Sequence, residues 1–265
     1  MTTDPAPQPT VAVTTLPGPR GRSAWPKDGR GGTLEWGGKS PGRYYCLAAP
    51  HMQQVGSGGW TSTSVDERAV HGAVVAIQRQ LRKQTMTSLE VTGVFDAATR
   101  DAALRFRRTL GLDTWGGIGP ATARALFLRP LQDICDERGV AEHWPVVCGI
   151  VQNESGWDPG AVGYIKPVDI GLAQINGDSH PDMSERERLR PAFAFNFIIS
   201  YLTNAMKALD GNIDDAIVSY NLGITGCKRW IAAGRPEIWT PEGSTTRNVH
   251  AYIDRIKTAC TEPLS

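Results

Sequence analysis

One short pattern, written twice, sets what the middle of this chain can become. Gly93-Val94-Phe95-Asp96-Ala97-Ala98-Thr99 and Gly116-Gly117-Ile118-Gly119-Pro120-Ala121-Thr122 share the order Gly-x-apolar-x-x-Ala-Thr, and a further Ala follows each, Ala102 and Ala125. Glycine supplies a turn, the apolar residue plugs a core, and Asp96 or Gly119 stands where a helix cap belongs. Pro120 falls at a first helical position, where the missing N–H costs nothing. Each copy therefore launches a helix. A third helix should precede them, because Ser64-Val65-Asp66-Glu67 reads as a capping box and Val70, Val74, Ile77 and Leu81 recur at helical spacing.

From about residue 130 the pattern is mainly helical. Residues 143–153 carry Val146, Val147, Ile150 and Val151 on one side, and 193–209 are strongly apolar. Residues 214–220 continue with Ala216, Ile217 and Val218, and 248–256 form a last helix. Between 158 and 182 the density of Gly, Pro and Asp predicts loops and a short hairpin. Residues 1–64 are rich in Pro, Gly, Ser and Thr without helical or strand period, which predicts an arm or linker. Trp25, Trp36, Tyr44, Tyr45 and Trp60 are unusual in a solvated linker, so 1–23 read as a disordered tail and 24–64 as an irregular arm that packs on something. The predicted units are thus 1–64, 65–129 and 130–265.

Three polar segments succeed one another in the last unit: Glu154-Ser155-Gly156-Trp157, Gly171-Leu172-Ala173-Gln174-Ile175-Asn176 and Ser219-Tyr220-Asn221-Leu222-Gly223. Glu154 ends an apolar helix, where the partial negative charge of the helix terminus disfavours a carboxylate and burial against Val151 or Trp157 would add to that. Gly156 then reverses the chain. In this order and spacing the segments resemble the soluble lytic transglycosylase family, relatives of goose-type lysozyme that cleave bacterial peptidoglycan. The repeat region, roughly 66–129, resembles the small three-helix peptidoglycan-binding domain found beside wall hydrolases, with Arg107 and Thr92 where that family usually has Gln and an acidic residue.

The resemblance implies a mainly α protein, the three-helix domain being followed by a lysozyme-like α+β domain with a short hairpin. It implies Glu154 as general acid and then base, first protonating the glycosidic oxygen and then activating the muramyl 6-hydroxyl to close a 1,6-anhydro ring. Ser155 would hydrogen-bond near an acetamido group, the alternative being a helix-end cap. Gln174 would read an N-acetyl group through its amide, next to Ala173 where the family usually has Met. Tyr220 and Asn221 correspond to the family's Tyr-Asn pair, and Tyr252 to its last cleft aromatic. Hydrolysis instead needs a second carboxylate to position water, and Asp169 is the first candidate, with Asp158 and Asp178 behind it. If Asp169 activates water, the protein is a muramidase of the goose-lysozyme type. A wall-binding virion component without activity is the third reading.

Composition limits the partners. Net charge of +1 gives no reason to expect nucleic acid, and no apolar run approaches bilayer length. The expected partner is the glycan of bacterial peptidoglycan, with phage virion proteins a further partner through the arm. Met1-Thr2-Thr3-Asp4-Pro5 lacks the basic and apolar parts of a secretory signal, which suggests delivery by a phage. Cys46, Cys135, Cys148, Cys227 and Cys260 form no C-x-x-C motif; one or two disulfides or buried thiols both fit. No cofactor or metal is expected, since the histidines lack ligand spacing and His180 with Asp178 and Asp182 reads as a polar loop. Trp115 is either a ligand platform or a core residue.

Overall fold

A computed structural model describes residues 42–46, 49–55, 64–112, 117–163, 169–241 and 245–260. The repeat region forms three helices, α1 (Ser64–Thr85), α2 (Ala97–Thr109) and α3 (Pro120–Glu137). Asp96 caps α2, its Oδ1 accepting from the Thr99 amide at 2.8 Å and the Thr99 hydroxyl at 2.7 Å. Phe95 and Ile118, the apolar members of the two repeats, are fully buried. Each copy is also held by a polar side chain from the helix before it. Gln78 of α1 donates to Thr99 Oγ1 (2.9 Å) and the Val94 carbonyl (2.9 Å) and accepts from the Gly93 amide (2.8 Å). Arg107 of α2, buried, donates to Thr122 Oγ1 at 2.5 Å. The threonine of the pattern is thus the receiving end of a cross-helix hydrogen bond in both copies. Trp115 and the capping side chains at Ser64 and Glu67 lie outside the described residues.

The division expected at 129/130 falls inside α3, which runs unbroken through Pro130. Proline has no N–H for the Leu126 carbonyl one turn back. Gln84 of α1 supplies it, Nε2 to the Leu126 carbonyl at 2.8 Å. α3 also packs on α4 (Trp144–Ser155) and α6 (Pro191–Ala208), with a 3-10 turn at Ala141–His143 between α3 and α4. A single apolar cluster runs from Ala73 of α1 to Ile256 near the C-terminus. A smaller one joins Ala69 to Val162, Ile170 and Leu189. The three-helix region and the C-terminal helices α4 to α8 therefore share a core.

After α4 come the two-residue strands β3 (Asp169–Ile170) and β4 (Ile175–Asn176), antiparallel to each other, as the loop composition suggested. The short α5 (Glu185–Arg188) opens on a capping box of Ser184 and Glu187. α7 (Ile213–Ala232) is capped by Asn212 and extends past Tyr220, with a break at Gly223 (φ 71°). β5 (Ile238–Trp239) pairs with β6 (Arg247–Asn248), and Asn248 caps α8 (Val249–Thr258) by accepting from the Ala251 amide at 2.8 Å. This is a mainly α, lysozyme-like fold. In the arm, β1 (Gly42–Cys46) and β2 (Ala49–Val55) form an antiparallel hairpin where irregular chain was expected. Tyr44, Tyr45 and Val55 favour strand locally, which a search for longer periodicity misses.

Cys148 of α4 and Cys260 after α8 form a disulfide, Cα to Cα 6.1 Å, closing a loop of 112 residues. Cys135 and Cys227 are buried thiols pushed up to about 11, burial being the main cause and the neighbouring carboxylates of Asp136 and Asp215 the second. Among the described residues no helix is long and apolar enough to cross a membrane.

Candidate active site

Glu154 lies in the last turn of α4, a helix whose Val147, Ile150 and Val151 are buried. Gly156 takes the left-handed conformation (φ 59°) and returns its N–H to the Gln152 carbonyl at 3.1 Å, so the chain reverses where the sequence placed the reversal. Trp157, fully buried, packs edge-on to Phe195 and anchors the turn. Glu154 is 5% exposed, well removed from the solvated state of an ordinary helix-terminal glutamate. Its Oε1 accepts from Asn153 Nδ2 at 3.1 Å and lies 3.4 Å from the Tyr252 hydroxyl.

Tyr252 belongs to α8, so its position depends on how α8 meets α4. A Cβ at Gly149 would collide with the Ile256 carbonyl, and the Cys148–Cys260 disulfide ties α4 to the chain two residues beyond α8. Close backbone approach is what brings phenol to carboxylate. Tyr220, from α7, donates to the Ala173 carbonyl at 2.8 Å and meets the Tyr201 ring edge-on at 5.2 Å. Tyr201 in turn donates to the Ser219 carbonyl at 2.6 Å. Burial pushes the Tyr220 and Tyr252 phenols well above their ordinary 10, and the charge of Glu154 is the next cause for both. Both are therefore neutral hydrogen-bond donors across the physiological range. Glu154 and Tyr252, both buried, and the half-buried Tyr220 thus form one polar group built from three helices.

The hairpin residues serve the loop. Gln174 has positive φ (47°), and its Nε2 donates to the Gly171 carbonyl (3.0 Å) and the Ala161 carbonyl (3.3 Å), which leaves its Oε1 as the atom available to a ligand. Asp169 Oδ1 accepts from Asn176 Nδ2 at 2.7 Å across the β3–β4 pair. Asp158 accepts from the Gly160 amide at 2.8 Å, as turn aspartates do, and Asp178 is exposed. Ser155 donates to the Val151 carbonyl at 3.0 Å within its own helix. Asn221, with Tyr252, Arg247 and Arg255, lines a cavity of about 330 Å³. His180 packs edge-on to Phe197, and among the described residues no cluster of His, Cys, Asp or Glu could hold a metal.

Several supports carried no sequence signal. Arg188 of α5 is buried and donates from Nη1 to the Ile175 carbonyl at 3.1 Å, under Gly177, where a Cβ would meet the guanidinium. Asn153, Tyr201, Arg247 and Arg255 likewise belong to no motif. Only Asn153, next to Glu154, was findable by adjacency.

The candidate site is thus a buried glutamate at a helix end, with two tyrosines near it and a short hairpin alongside, in a mainly helical, lysozyme-like fold. Residues 137–237 match the family described as the transglycosylase SLT domain, which places this segment in the lytic transglycosylase and lysozyme-like family. Members of that family are peptidoglycan lytic transglycosylases, and peptidoglycan is accordingly the substrate class of this enzyme. No curated protein and no solved structure matches the chain.

Proposed function

We propose that the protein cleaves the MurNAc–GlcNAc β-1,4 bond without water, leaving 1,6-anhydromuramyl ends, with Glu154 as the single acid and base. The observation that carries this reading is the burial of Glu154 against Tyr252, with Tyr220 as its second phenolic neighbour. Glu154 in its protonated form gives its proton to the glycosidic oxygen as the C1–O bond breaks, and the GlcNAc part leaves as an alcohol. The resulting carboxylate takes the proton of the muramyl 6-hydroxyl, whose oxygen bonds to C1. The acid is regenerated and no water is consumed. Tyr252 and Tyr220 are donors that hold the carboxylate and the neighbouring loop in place while its charge changes. The hairpin that carries Gln174 would offer its amide oxygen to an acetamido N–H, and Asn221 would meet the glycan from the cavity that it lines with Tyr252.

Asp169 supports the non-hydrolytic route by its engagement with Asn176, which suits a hairpin brace better than a base for water. The three helices α1 to α3 serve as the wall-binding part, raising local concentration on an insoluble polymer. Because they share a core with the catalytic domain, they would hold the cleft at a set angle to the wall. Mass analysis of digested peptidoglycan tests the proposal. Anhydro ends are expected, with Asp169→Asn still active. Products heavier by one water, together with an inactive Asp169→Asn, would establish the hydrolytic muramidase instead.

A further inference from the structure

The loop that carries Gln174 joins two strands of only two residues each, too short a ladder to keep its own shape. Gln174 also holds a left-handed backbone (φ 47°), which a non-glycine residue keeps only where its surroundings impose it. What packs against the hairpin therefore sets the loop. Tyr220 of α7 is one support, through the Ala173 carbonyl. The turn that ends α5 is the other. Arg188, buried, donates from Nη1 to the Ile175 carbonyl of β4 at 3.1 Å, and its guanidinium occupies the place of a Cβ at Gly177. The Arg188 backbone carbonyl lies against Gly171 (φ 75°), too close for a Cβ there. One residue thus holds the chain on both sides of Gln174.

Leu189, next along, joins Val162 and Ile170 in a small apolar cluster, and the fourth member of that cluster is Ala69 of α1. Gly72, further along α1, faces the same leucine: a Cβ there would lie 3.6 Å from its Cδ1. The packing that supports β3 is therefore completed by a helix of the three-helix region. We propose that Arg188 and Leu189 are positioning residues for the glycan-reading loop, and that α1, through Ala69, is the surface they bear on. The three-helix region then raises the affinity of the cleft even for glycan too short to reach any wall-binding surface. The inference rests on the proposed role of Gln174, and gives α1 a part in the cleft besides tethering.

The test uses the full chain and a short soluble fragment of wall glycan, for which tethering gives no advantage. Leu189→Ala should raise KM about tenfold, the worth of one hydrogen bond no longer in place. It should leave kcat within about twofold, because Glu154 and Tyr252 stand on α4 and α8. Ala69→Leu, which overpacks the same cluster from α1, should behave in the same way, as should Arg188→Met. Leu189→Val removes less packing and should show a smaller shift of the same kind if Leu189→Ala does not fold. In Gln174→Ala protein, Leu189→Ala should add little to the rise in KM, since both act on one contact. Amide exchange should quicken at Gly163 and Gly171, whose N–H groups bond to the Asp169 and Ala161 carbonyls, and stay unchanged in α4 and α7. Unchanged KM in any of these variants, additive losses with Gln174→Ala, or exchange that quickens throughout the catalytic helices would overturn the proposal. Calorimetric affinity of Glu154→Gln protein for the fragment, with and without Leu189→Ala, reads the positioning without turnover. A wild type that cleaves nothing while this affinity falls about tenfold would count against the cleavage reading and for the positioning. An affinity indifferent to Leu189→Ala would overturn the positioning whatever the turnover.

Discussion

Gly149→Ala is the perturbation that best separates this account from a loose assembly of motifs. The added methyl would fall inside contact distance of the Ile256 carbonyl, a backbone atom that cannot rotate away. Restoring ordinary contact requires α4 and α8 to part by roughly 1.5 Å, judged against normal carbon contact distances. The Cys148–Cys260 disulfide resists that movement at the adjacent residue. Overpacking of this kind costs about 1–3 kcal/mol, even after the small helix-propensity gain of Ala over Gly. For a protein of this size each kcal/mol lowers Tm by roughly 2–4 °C. Because Tyr252 rides on α8, its hydroxyl should also leave Glu154, and wall-clearing activity should fall by more than the folded fraction falls. Gly72→Ala is the matched control: it is also helical, its nearest neighbour is the Leu189 side chain at 3.6 Å, and the substitution should leave Tm unchanged or raised. Circular dichroism melts and a turbidity assay on purified walls read both effects. A Gly149→Ala protein with wild-type Tm and activity would refute the claim that backbone contact between α4 and α8 sets the site.

Tyr252→Phe removes the hydroxyl that approaches Glu154 and should lower kcat about tenfold with the melting curve preserved, the effect of losing one hydrogen bond to a charged group. An unchanged kcat would remove Tyr252 from the account. The thiols of Cys135 and Cys227 give an alkaline signature. Their folded values, about 11, stand above the ordinary 9.0, so the unfolded chain ionises first and stability present below pH 9 is lost as pH rises toward 11. Each thiol should account for about 1.4 kcal/mol of lost stability at pH 10. Urea titrations at pH 8 and pH 10 should therefore diverge less in Cys227→Ala than in wild type, and equal divergence would contradict it. Replacing Cys148 and Cys260 together by Ala should cost roughly 5 kcal/mol, since the bond closes a 112-residue loop, with the loss read as a lower urea midpoint.

Much of the fold could be read from local chemistry. Asp96, Pro120 and Asn248 announce helix starts, Gly156 announces the reversal after Glu154, and each works within three residues of its own position. The catalytic candidate was legible for the same reason: a glutamate at the end of an apolar helix is a local pattern. The residues that join elements left no such trace. Gln78, Arg107 and Arg188 look like surface residues in sequence, yet all are buried, because their partners are carbonyls and hydroxyls contributed by distant turns. Nor could the chain announce that Gln84 would make Pro130 tolerable and let α3 bridge the expected boundary. The roles expected of Gln174 and Ser155 illustrate the limit from the other side. Both residues fall in the segments that carried the resemblance, while the donors of each serve backbone carbonyls of their own loop or helix.

The most direct test is muropeptide release by Glu154→Gln protein set against wild type, after both are shown to melt alike and to sediment equally with purified walls. The isosteric amide keeps size and burial but has no proton to donate, so release should fall by at least about a thousandfold. Release within a few-fold of wild type would contradict the account, because the proton would then be coming from another group.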